Sequence, residues 1–101
     1  MEYLELEQFT LAAGVTRTAF AAVDDGVQAW SYVHRDGLRR RTTAFAEDGG
    51  VLVVSLFATA PAPLALDAPT SSTAPIDDGL EALRSVIEPG SYRRRVFEDR
   101  G

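Results

Sequence analysis

The chain contains no cysteine, which excludes a disulfide framework, a thiolate metal site and a thiol nucleophile together. Its single histidine, His34, argues against a histidine-cluster metal site within one chain, so no metal is expected; no cofactor is expected either. Lysine and asparagine are missing too, and all ten basic residues are arginine. Against an alanine-rich background this is the codon bias of a GC-rich genome, and arginine in place of lysine carries little functional weight. No apolar run approaches the roughly 18 residues that span a bilayer. The start, Met1-Glu2-Tyr3-Leu4-Glu5, has no basic region ahead of an apolar run, so the expectation is a cytoplasmic protein with no membrane partner. A net charge of −5 is the wrong sign for a phosphate-neutralising footprint, and no nucleic-acid partner is expected. Glycine-rich phosphate loops, serine nucleophile elbows and metal motifs are absent.

What is present suits one small domain spanning residues 1–101, with 46% hydrophobic residues to fill a core. At this length the surface-to-volume ratio leaves stability marginal, and association adds burial. Residues 3–11 alternate: Leu4 and Leu6 interleave with Tyr3, Glu5, Glu7 and Phe9, the period of a strand. Thr16 is placed to cap a helix over 16–34, in which Phe20, Val23, Val27, Trp30 and His34 form one apolar stripe, while Asp24, Asp25, Gln28 and Ser31 fall mainly off it and the Asp24-Asp25 pair reads as a solvated face. Gly26 within that helix costs roughly 1 kcal/mol relative to alanine. Asp36-Gly37 marks the helix end.

Residues 38–57 read as a hairpin whose strands, 38–46 and 51–57, join through Glu47-Asp48-Gly49-Gly50. The second strand is apolar on both faces, and such a strand is covered on both sides. One layer of helices from so short a chain covers one side, and a second copy is the simplest cover for the other. Residues 59–75, with Pro61, Pro63, Pro69 and Pro75, form a loop with a short helical turn at 64–68, either a plain connection or a cover over a pocket. Asp77 or Asp78 then caps a short helix carrying Leu80, Leu83, Val86 and Ile87, ended by Pro89-Gly90, and 91–98 is a last strand. The order β-α-β-β-α-β predicts an α+β, ferredoxin-like antiparallel sheet with helices on one face.

Several stretches resemble the antibiotic-biosynthesis-monooxygenase-like proteins of the dimeric α+β barrel superfamily. They are Phe9-Thr10-Leu11 with Gly14-Val15-Thr16 and the helix 20–30, then Gly37-Leu38-Arg39-Arg40-Arg41-Thr42, then Asp48-Gly49-Gly50-Val51-Leu52-Val53-Val54, and more weakly Val86-Ile87-Glu88-Pro89-Gly90-Ser91. The resemblance implies a homodimer whose two sheets pair face to face with helices outside. It also implies kinship with cofactor-free oxygenases of polycyclic aromatic substrates and with haem-degrading proteins. The haem-degrading branch uses an asparagine, a tryptophan and a histidine together, and this chain has no asparagine. Residues 59–75 also lack the charged and aromatic pattern that follows the third strand in relatives.

Trp30 and His34 are neighbours on one helix face. A flat ring beside a base that titrates near neutrality is suited to hold a small apolar or aromatic ligand and remove its proton. The plain alternative puts Trp30 in the core and His34 at the end of the helix dipole. The triplets Arg39-Arg40-Arg41 and Arg93-Arg94-Arg95 split across strand faces and read first as edge-strand charges, with Glu5 and Glu7 pairing to Arg93 and Arg95. If an arginine serves a pocket, Arg39 or Arg41 fits the family match, holding an enolate or carboxylate. His34 and Arg39 are therefore the catalytic candidates, and Trp30, Tyr92 and Arg41 the substrate-binding ones. A non-catalytic dimeric binding or accessory module is the competing reading.

Overall fold

The computed structural model describes residues 1–64, 66 and 78–101. Among the described residues four strands, β1 (Glu2–Thr10), β2 (Leu38–Phe45), β3 (Gly50–Phe57) and β4 (Arg93–Asp99), and two helices, α1 (Arg17–His34) and α2 (Asp78–Val86), follow in the order β1-α1-β2-β3-α2-β4. The sheet order is β2-β3-β1-β4 with every neighbouring pair antiparallel. This is the α+β ferredoxin-like arrangement that the alternation and hairpin signals predicted. The caps expected for the 77–78 region and the helical turn at 64–68 lie outside the described residues, apart from Leu64 and Leu66.

β1 and β3 are central, and β3 alternates strictly: Val51, Val53, Ser55 and Phe57 are buried, while Leu52, Val54 and Leu56 are half-buried. The buried set faces the helices. Phe9, Phe20, Val27, Val51, Val53, Leu64, Leu66, Leu80, Leu83 and Ile87 form one core cluster, with Trp30 and Tyr92 packed against it. Phe20, fully buried, meets Phe9 and Phe45 edge-on at 5.7 and 5.9 Å between ring centroids. The opposite sheet face presents Leu4, Leu6, Leu52, Val54, Leu56 and Phe97 in adjacent register.

α1 begins as expected. The Thr16 hydroxyl accepts the Ala19 N–H at 3.0 Å, satisfying a donor that the first helical turn otherwise leaves unpaired. It ends at Arg35, whose N–H bonds the Ser31 carbonyl, and Gly37 turns the chain at φ +81°. In the hairpin only Gly49 has positive φ, and the Asp48 carboxylate accepts the Gly50 N–H. β2 pairs with β3 in one register from Arg40 to Phe45. A bulge between Leu38 and Arg40 lifts Arg39 out of the ladder. Past α2, Ile87 leaves the helix to bridge with Leu11.

Candidate functional site

The helix-facing side of the sheet is not all apolar. Across its middle run Arg41 of β2, Ser55 of β3 and Glu5 of β1, in direct register, and Glu7 follows one pleat along. Over them lies a stripe of α1 that includes Asp24, Gln28, Ser31 and the cap residue Arg35. Asp24 and Ser31 are buried, which corrects the expectation of a solvated face at Asp24, while Asp25 is exposed as expected. Arg41 explains it: its Nη2 donates to Asp24 Oδ1 at 2.7 Å, Thr43 donates to Asp24 Oδ2 at 2.7 Å, and Gln28 accepts from Arg41 Nη1 at 3.4 Å.

Glu5 is completely buried. Arg35 donates to both of its oxygens at 2.6 and 2.8 Å, and Arg94 Nε donates to Oε2 at 2.8 Å. Burial alone pushes this carboxyl up, but the hydrogen bonds and charge of Arg35, then those of Arg94, outweigh it and hold Glu5 below the usual carboxylate range. The partner from β4 is thus Arg94 and not Arg93 or Arg95, because strand alternation aims those two at the other sheet face. Both guanidiniums reach onward. Arg35 Nη2 donates to the Ala62 carbonyl at 2.9 Å and Arg94 Nη2 to the Pro61 carbonyl at 3.2 Å.

These two bonds fasten the 59–64 segment as one wall of a pocket of about 450 Å³, open to solvent, with Trp30, His34, Arg35 and Phe57 on the other walls. The Trp30 and His34 rings stack at 5.1 Å between centroids and 18° between planes. His34 Nδ1 lies 3.0 Å from the Trp30 carbonyl oxygen. A carbonyl only accepts, so Nδ1 carries the proton and Nε2 is the basic nitrogen. The Arg35 guanidinium lies over the Phe57 ring at 4.7 Å.

Of the residues singled out from sequence, the structure brings Trp30 and His34 together at this pocket. Arg39 lies apart, exposed at the bulge and 3.5 Å from Glu2. Arg41 is buried against Asp24, and its backbone N–H donates to the Tyr32 hydroxyl at 2.9 Å. Tyr92 is half-buried against the core, stacked on Phe9 at 6.3 Å, with its hydroxyl donating to Glu7 Oε2 at 2.6 Å. The arginine at the pocket is Arg35, which the sequence reading passed over. Its signal was spacing: Asp24, Gln28, Ser31 and Arg35 follow one another at four, three and four residues, a second stripe beside the apolar one.

No protein-family model and no curated protein sequence matches the chain. Solved structures do. SnoaB, a cofactor-independent oxygenase from Streptomyces nogalater, superposes with a TM-score of 0.62 at 14% identity, covering 99% of this chain and 94% of that one. Rv0793 from Mycobacterium tuberculosis gives 0.61 at 17% identity, covering 98% and 95%. The chain shares the fold of these structures, the α+β ferredoxin-like arrangement that the sequence resemblance implied. At these identities the likeness is one of fold.

Proposed function

We propose that this protein binds a flat, apolar or aromatic small molecule in the Trp30–His34–Arg35 pocket and acts on it as a cofactor-free monooxygenase-like enzyme, working as a homodimer. The observation that carries this reading is the stacked Trp30–His34 pair on the wall of an open pocket beside a fixed guanidinium. The volume of about 450 Å³ falls in the range of small-molecule sites, which combine apolar walls with a few placed polar groups. In this reading the indole offers a stacking surface, His34 Nε2 accepts the substrate proton, and Arg35 steadies the resulting enolate, the role the sequence assigned to Arg39 or Arg41. A cofactor-independent oxygenase with the same fold supports the reaction class.

The dimer rests on the sheet face turned away from the helices. Leu4, Leu6, Leu52, Val54, Leu56 and Phe97 make a continuous half-buried apolar surface across the two central strands and β4. A second copy laid sheet to sheet buries it.

The competing reading is a dimeric binding or accessory module without turnover. It is favoured by the commitment of Arg35, whose side chain is only 6% exposed and already bonded to Glu5 and Ala62. A panel of aromatic polyketide-like compounds and haem, titrated against Trp30 fluorescence, separates the readings. Quenching with oxygen consumption that His34→Ala abolishes supports the oxygenase. Quenching without turnover supports the binding module, and no response across the panel removes the pocket hypothesis.

A further inference from the structure

Glu5 and Glu7 occupy the same face of β1, two residues apart, and their surroundings differ in kind. Glu5 accepts three hydrogen bonds from two guanidiniums, groups that only donate and that keep a carboxylate ionised. Glu7 is 3% exposed, and its hydrogen-bond partner among the described residues is the Tyr92 hydroxyl at 2.6 Å. A phenol both donates and accepts. It donates to Glu7 when the carboxylate is ionised and accepts from it when the acid is protonated, so the bond survives either state.

The arginines nearby are committed elsewhere. Arg94 stands directly across from Glu7 in the β1–β4 register, yet its guanidinium turns to Glu5 and Pro61. Arg35, from the end of α1, is taken by Glu5, and Arg41, from β2, by Asp24 of α1. Val53 lies across from Glu7 on β3, and α2 supplies the apolar Leu80 and Leu83 to the same core. One neutral donor does not replace water around a buried carboxylate, and the Glu5 charge adds repulsion. Two carboxyls whose environments push them apart in this way mark a division of protonation roles.

We propose that Glu7 and Tyr92 form an internal proton-exchange site, in which Glu7 gains and loses one proton inside the core while its bond to Tyr92 persists and Glu5 stays ionised on Arg35 and Arg94. The site is distinct from the pocket and needs no occupant there. It gives the core a group that exchanges a proton with solution in the neutral range, because burial and then the Glu5 charge raise Glu7 to about 7.

The test is carboxyl-carbon NMR of the full chain with labelled glutamate, titrated from about pH 5 to about pH 9. The Glu7 resonance, assigned by its loss in Glu7→Gln, is expected to move through one midpoint near neutrality, while Glu5 holds its ionised position throughout. The Tyr92 ζ-carbon of the unaltered protein shifts with the same midpoint. Tyr92→Phe removes the donor to the ionised form and moves the Glu7 midpoint to higher pH. Titration of Glu7 in the ordinary carboxylate range, neutral-range titration of Glu5 in its place, or a Tyr92 carbon indifferent to the Glu7 transition each overturns the proposal.

Discussion

Glu5 and Arg35 meet through two hydrogen bonds, at 2.6 and 2.8 Å, in a part of the core where the carboxylate has no exposure at all. Removing one member of such a pair leaves the other charged, buried and unmatched, at a cost of about 3–5 kcal/mol. Glu5→Gln strands two guanidiniums, Arg35 and Arg94, and is expected to lower the urea-unfolding free energy by that amount. A loss below about 1 kcal/mol, the value of an exposed pair, would show that the network contributes little to stability.

Stability should depend on pH in two windows of opposite sign. Glu5 is depressed below its unfolded value of 4.5, so its contribution is complete above that pH and is lost on acidification. Glu7 is raised to about 7 from 4.5, so between those limits the folded state keeps a proton that the unfolded state releases. Stability therefore declines as pH rises through that window and levels off above it, by roughly 3 kcal/mol in total. Glu7→Gln, which still accepts from Tyr92, is expected to abolish the decline. Parallel curves for the two proteins in urea unfolding across this range would contradict it.

Two glycines are expected to respond oppositely to alanine. Gly26 lies within α1, and an added Cβ meets nothing within 4 Å. Gly26→Ala is thus expected to stabilise by about 1 kcal/mol through helix propensity alone. At Gly37 the backbone has φ +81° and an added Cβ falls 2.5 Å from Thr59 Oγ1. Gly37→Ala is expected to cost about 1–2 kcal/mol in backbone strain, more with the clash. Thermal unfolding of both variants, with Gly37→Ala/Thr59→Ala to isolate the clash, measures each component.

Val54→Arg places a charge in the middle of the open sheet face without touching the helix side. If that face pairs two copies, the substitution yields a folded monomer in sedimentation while helical circular dichroism is unchanged. An unaltered protein that sediments as a stable monomer at micromolar concentration excludes the pairing.

The fold was legible because its cues are local. Thr16 caps, Gly37 and Gly49 turn, and the short apolar run 51–57 marks a strand with apolar residues on both faces. The polar interior was not legible, since alternation says which residues share a face and leaves open which face turns inward. Glu5 and Glu7 share a face with Phe9, and only the sheet order shows that this face lies under α1. Asp24 looked solvated for the same reason: its partner, Arg41, is 17 residues away on another element. The Leu38/Arg40 bulge, which decides that Arg39 leaves the sheet while Arg41 enters the core, has no glycine to announce it.

Arg35 and Arg94 grip the 61–62 stretch by its main-chain carbonyls, and side-chain identity there does not enter the attachment. Substitutions at 61 and 62 can therefore reshape the lining of the cleft while its anchorage survives, which makes this strip the natural place to vary the cavity's shape without redesigning the scaffold.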